Sequence, residues 1–99
     1  MLKKTYAKNG KTCRVTFRFP AQVDVQQVQL CGDFTDWEDN PLVMKRLKDG
    51  SFSRTVSLQT EREYHYRYLL DGTHWENDWA ADRYVGSAFG DCDNSVVIV

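Results

Sequence analysis

Trp37 closes the segment Gly32-Asp33-Phe34-Thr35-Asp36-Trp37 and is followed by Glu38, Asp39 and Asn40 before Pro41-Leu42. An indole among so many polar neighbours fits a surface better than a core. Its flat face and wet edge suit a ligand that is half apolar and half polar. A sugar ring answers that description, with C–H groups on its faces and hydroxyls around its rim. Trp75 sits in a similar polar frame of Thr73, His74, Glu76 and Asn77. Burial statistics pull the other way, because tryptophan is mostly buried on average and either ring could cap the open end of a core. Trp79, just before Ala80-Ala81, is the tryptophan best suited to packing.

Arg67 is the polar candidate. In Glu63 to Leu70, Tyr64, Tyr66, Tyr68 and Leu70 alternate with Glu63, His65, Arg67 and Leu69. If the tyrosines face a core, His65 and Arg67 face outward. An arginine offers a fixed fork of donors to paired hydroxyls and a plane that can stack. The competing reading of Arg67 is a solvated charge paired with a glutamate.

The elements that position these residues read as strands. Cys13, Val15, Phe17 and Phe19 alternate with polar residues. So do Phe52, Val56 and Leu58, with Arg54 as the exception on the apolar phase. Period-two alternation marks strands with one face in a core and one in water. Asn9-Gly10, Asp49-Gly50 and Asp71-Gly72 predict two-residue hairpin turns, since each pair adopts positive φ at low cost. The best candidate for a helical turn is Asp78 to Asp82, with Asp78 as N-cap. Gln22 to Gln27 reads as a connection, and Tyr84 to Asp93 as the loosest region. The pattern predicts an all-β fold, an immunoglobulin-like β-sandwich of about seven to eight strands.

Composition narrows the function classes. The chain has 99 residues, which suits one domain over residues 1–99. Fourteen acidic side chains nearly cancel thirteen basic ones, so no global field favours nucleic acid or an anionic membrane. No long apolar span predicts a transmembrane helix. Lys3-Lys4-Thr5-Tyr6-Ala7-Lys8 has charge but no apolar stretch behind it, so no signal peptide is expected and a cytoplasmic setting is the reading. Cys13, Cys31 and Cys92 are an odd set without C-x-x-C spacing, which predicts three free thiols and neither disulfides nor a zinc site. Catalysis is not expected. A glycosidase needs two carboxylates about 5–10 Å apart across a cleft, which a short sandwich rarely builds. His65 and His74 lie in no nucleophile motif, and no glycine-rich phosphate loop exists. Asp91-Cys92-Asp93-Asn94 lacks the glycine and distant glutamate of a calcium loop. No metal or other cofactor is expected.

The hexapeptide ending at Trp37, Pro41-Leu42, Tyr66-Arg67-Tyr68, Asp71-Gly72 with Trp75, and Asn94 before Val96-Val97-Ile98-Val99 occur in a telling order. From about Val28 onward the chain resembles the glycogen-binding module family. This is the early-set β-sandwich of the AMP-activated kinase β subunit and of the N-termini of isoamylases and branching enzymes. The resemblance implies that Trp37 and Trp75 stack on successive glucose rings, that Arg67 and Asn94 hydrogen-bond hydroxyls, and that Phe89 lies near the sugar. The chain departs from the best-known ligand-binding members in three ways. Arg67 replaces their usual lysine, the segment from Trp75 to Asn94 is longer, and Asp91-Cys92 stands where a Gly-Thr pair is expected. Enzyme-linked members include structural spacers with poor sugar sites. Here no catalytic barrel follows the final strand, so a standalone module is expected.

Two functional readings follow. The first is non-catalytic binding of α-1,4-linked glucan, polysaccharide or oligosaccharide. The second is a protein-interaction module docking on a glucan-metabolising enzyme or a kinase, with a vestigial sugar site.

Overall fold

The computed structural model of the chain describes residues 2–22, 24–86 and 93–99. Ten strands occur among them: β1 Leu2–Tyr6, β2 Thr12–Phe19, β3 Val28–Gly32, β4 Leu42–Val43, β5 Lys45–Arg46, β6 Phe52–Gln59, β7 Glu63–Leu70, β8 His74–Glu76, β9 Arg83–Gly86 and β10 Asp93–Ile98. They form two antiparallel sheets, ordered β1-β2-β6-β5 and β4-β3-β7-β10-β9, with β8 also paired to β7. The fold is an all-β sandwich, as the alternation predicts. The count exceeds the seven to eight expected because β4, β5 and β8 are edge strands of two or three residues, too short to show a period.

The core lies where the alternation puts it. Cys13, Val15, Phe17 and Phe19 of β2 are buried against Tyr66, Tyr68 and Leu70 of β7 and Val97 of β10. Phe17 meets Tyr66 edge-on at 4.9 Å, and Phe19 meets Tyr68 likewise at 5.2 Å. Such tilted pairs each add about 0.5–1.5 kcal/mol beyond the area they bury. Tyrosine brings a hydroxyl into the core, and the chain supplies one acceptor for both. Asp78, itself buried, accepts the Tyr66 and Tyr68 hydroxyls on the same carboxylate oxygen at 2.8 and 3.1 Å. Among the described residues no buried side-chain nitrogen or oxygen lacks a partner.

The residues that break the pattern have particular solutions. Arg54 is on the core phase, opposite Phe17, yet it reaches the edge of the sandwich and donates to the Val43 carbonyl at 3.3 Å. Lys4 likewise leaves the core phase of β1 and bonds Asp82 at 2.6 Å. Asp78 starts a turn but no helix; its second carboxylate oxygen accepts the Ala80 amide at 2.9 Å while the first holds the tyrosines. The region expected to be loosest is strand at both ends, with Tyr84 to Gly86 in β9 and Asp93 in β10, while residues 87–92 fall outside the description.

The three turn signals do close hairpins, with connections longer than two residues. Asp71 and Gly72 take φ of 50° and 75°, and the Thr73 amide donates to the Leu70 carbonyl, giving a three-residue link from β7 to β8. Asp71 also accepts the backbone amides of Gln26 and Gln27, both at 2.9 Å. That contact pins the irregular segment before β3 to the hairpin.

Candidate functional site

The segment Gly32 to Trp37 is a compact turn in which each residue has a physical task. A Cβ on Gly32 would stand 2.5 Å from the His65 carbonyl oxygen and 2.9 Å from Tyr66 Cβ, so only glycine lets β3 approach β7 here. Phe34 drops toward the core, 5.5 Å from the Phe17 ring. Thr35 is buried. Its hydroxyl accepts the Gly32 amide at 2.9 Å and lies 3.0 and 3.2 Å from the carbonyls of Gly32 and Trp37. Asp36 and Trp37 then adopt left-handed φ of 53° and 55°. That conformation is costly for a bulky side chain and persists only where the surroundings enforce it.

Asp33 does the enforcing. One carboxylate oxygen accepts the Trp37 indole N–H at 3.2 Å, and the other accepts the His65 backbone amide at 2.8 Å. The half-buried indole is therefore tied by its edge to β7. Trp37 is not a core residue.

β7 carries the rest of the face. Its outward residues are His65, Arg67 and Leu69, all half-buried. On one side Cys31 of β3 pairs with Arg67. On the other, Trp75 of β8 pairs with Leu69, and Ser95 of β10 pairs with Tyr66, which puts Asn94 beside Arg67. The Arg67 Nε–H donates to the Asn94 side-chain oxygen at 2.7 Å, and the Asn94 amide nitrogen lies 3.5 Å from His65 Nδ1. Hydrogen bonds thus run from Trp37 through Asp33 to the His65 backbone, and the His65 ring meets the Asn94–Arg67 pair. Trp75 flanks the same face one outward position further along β7. Two half-exposed indoles on one face with a guanidinium and an amide between them can offer a surface to planar C–H faces and rim hydroxyls.

Sequence reasoning located four of these residues. Arg67 has Asn94 as a hydrogen-bond partner. Phe89 and Cys92 lie outside the described residues. His65 and Asp33 were not singled out for the site. His65 shares the outward phase of Arg67, and an aspartate right after the glycine of a tight strand exit is well placed to accept amides, so both signals were present. The packing role expected of Trp79 is overturned: its side chain is 73% exposed. The local alternation goes to Asp78 instead, because two buried tyrosine hydroxyls need an acceptor more than the core needs another indole.

Two further features bear on this face. Cys31 and Val96 are fully buried but stand outside the core cluster, as residues of the outward phase of β3 and β10. Cys13 and Cys31 are both free thiols. Among the described residues, no group of three His, Cys, Asp or Glu side chains could hold a metal ion. No helix among them is long and apolar enough to cross a membrane.

The family model for carbohydrate-binding module 48, the isoamylase N-terminal domain, matches residues 6–85. The chain belongs to the carbohydrate-binding module 48 family. That match covers β2 through most of β9 and so includes Trp37, Arg67 and Trp75, while Asn94 follows it. A search among curated proteins found no match. Carbohydrate-binding module 48 is a non-catalytic, carbohydrate-binding unit with an immunoglobulin-like fold, in agreement with the two-sheet architecture. Membership extends the resemblance back to the first hairpin, where the sequence signals are weak.

Proposed function

We propose that the outer face of β3, β7, β8 and β10 binds α-1,4-linked glucan, of the glycogen or starch type, without catalysis. The observation that carries this reading is the shared position of Trp37, Arg67, Trp75 and Asn94, with Arg67 and Asn94 bonded to each other and Trp37 locked by Asp33. Two indoles presented by different elements suit adjacent rings of a curved α-1,4 chain. A flat β-1,4 ribbon cannot follow both. The donor fork of Arg67 and the amide of Asn94 meet the hydroxyls between those rings. A cytoplasmic setting and a single domain spanning residues 1–99 belong to the same proposal, supported by the unbridged, buried Cys13 and Cys31.

Calorimetric titration with β-cyclodextrin, beside thermal melts, tests the reading. The wild type should bind β-cyclodextrin and maltoheptaose measurably, glucose negligibly and cello-oligosaccharides not at all. Trp37→Ala should lose most of the affinity while melting close to the wild type, as expected when one aromatic anchor dominates a shallow site. No heat from the wild type at millimolar ligand would transfer this face to protein docking, on a glucan-metabolising enzyme or a kinase.

A further inference from the structure

A second concavity lies at one end of the sandwich, away from the outer face of β7. Its volume is about 410 Å³, within the size range of small-ligand sites. Phe19 and Pro20, where β2 ends, line it together with the exposed Trp79. Tyr68, fully buried, lies among its lining residues. Arg18 and Asp49, half-exposed and largely exposed, stand at the rim with Nη2 and Oδ2 3.7 Å apart.

The rim is organised in advance. Asp49 accepts both the amide and the hydroxyl of Ser51, at 2.9 and 2.6 Å, and the Arg18 guanidinium donates to the same hydroxyl at 3.2 Å. Those two bonds from Ser51 hold the Asp49 carboxyl below its usual range, so it stays an acceptor at neutral pH. A cationic donor fork next to an ionised acceptor matches a pair of neighbouring hydroxyls, which offer one lone pair and one proton each way. Carbon walls and an open indole match the C–H face of the same ring. A volume of about 410 Å³ has room for the end of a glucan chain and is too small for a cyclic oligosaccharide to enter.

We propose that this cavity is a second sugar site, taking the terminal hexose unit of a glucan chain. Asp49 and Arg18 hold neighbouring hydroxyls there, and Trp79 covers the ring. It rests on the glucan reading of the outer face and extends it. Trp75 and Trp79 are four residues apart along a chain that passes from the sheet face to the sandwich end, a span of at most about 14 Å. A branched polymer with many ends would then engage the module at two points.

The test follows the three indole N–H resonances by NMR, assigned by substitution, during titration with linear maltoheptaose and with cyclic, endless β-cyclodextrin. Maltoheptaose should shift Trp79 as well as Trp37 and Trp75, and β-cyclodextrin should shift only the latter two. Trp79→Ala should leave the β-cyclodextrin isotherm and the melting temperature unchanged while weakening retention on glycogen about tenfold or more, the scale of lost avidity. A Trp79 signal that stays still while the other two respond to maltoheptaose overturns the second site alone. An equal response of Trp79 to β-cyclodextrin overturns recognition of a chain end. A response of Trp79 alone sinks the outer-face reading and leaves the cavity as the glucan site.

Discussion

The Asn94 side-chain oxygen accepts the Arg67 Nε–H at 2.7 Å across the gap between β10 and β7. The bond fixes the plane of the guanidinium and so the direction in which its remaining donors point. Loss of the asparagine should therefore act on ligand binding through Arg67. Asn94→Ala is expected to weaken β-cyclodextrin binding about tenfold, or ~1.4 kcal/mol. Arg67→Lys should weaken it similarly, since an ammonium cannot reproduce the fork. Calorimetry on the two single variants and the double variant checks this, and a double variant no worse than either single one would show that the pair works as a unit.

Adjacent residues of β7 should behave oppositely in stability. Tyr66 is fully buried and packs edge-on against Phe17, so Tyr66→Ala should cost about 3–5 kcal/mol. Arg67→Ala, on the outward face, should cost under about 1 kcal/mol. Urea denaturation of both variants gives the ranking. The reverse order would refute the placement of Arg67 on the binding face.

Gly32→Ala probes the strand crossing beneath Trp37. The new methyl would meet the His65 carbonyl oxygen at 2.5 Å, a backbone atom without room to yield. A loss of about 1–3 kcal/mol is expected, as for other overpacked sites. The displaced β3–β7 contact should also spoil sugar binding in the fraction that remains folded. A variant as stable as the wild type would mean that the two strands separate easily here.

Alkaline pH should unfold the protein through its core tyrosines. Burial, followed by the neighbouring tyrosine and Asp78, raises the ionisation of Tyr66; burial and then Asp78 raise that of Tyr68. A raised folded value means that their contribution is complete below the unfolded value near 10 and is lost as pH climbs above it. Stability should fall by about 2.7 kcal/mol per pH unit there if both stay protonated in the fold, at ~1.36 for each group. Spectrophotometric titration should show two of the five tyrosines ionising only as the fold is lost. Five tyrosines titrating freely in folded protein would contradict the buried pair.

The strand phases of β2 and β7 were legible because each has a full-length alternation against a single core, and that of β6 because Phe52, Val56 and Leu58 keep the phase around Arg54. The platform was legible for the same reason: once Tyr66 and Tyr68 face inward, Arg67 must face outward. Three things were hidden, each for a non-local cause. The exposure of Trp79 follows from the hydrogen-bond demand of Tyr66 and Tyr68, ten or more residues earlier in the chain. The strand at Tyr84 to Gly86 exists because β10 offers it an edge, and its glycine and exposed tyrosine give no local sign of that. The cavity beside Trp79 is assembled from β2, the turn after β5 and the loop after β8, which no single stretch of sequence encodes.

The bond between Arg67 and Asn94 also has a temporal meaning. Arg67 sits in the seventh strand and Asn94 in the tenth, so a nascent chain holds both platform indoles before it holds the residue that orients the guanidinium. Synthesis must deliver the tenth strand before the face is complete. The same dependence applies to proteolysis. A cut between Gly86 and Asp93 would spare the hexapeptide turn and the β7–β8 hairpin yet free the strand that carries Asn94. On the proposed glucan reading, capture would report that the tenth strand has docked rather than merely that the earlier ones have folded.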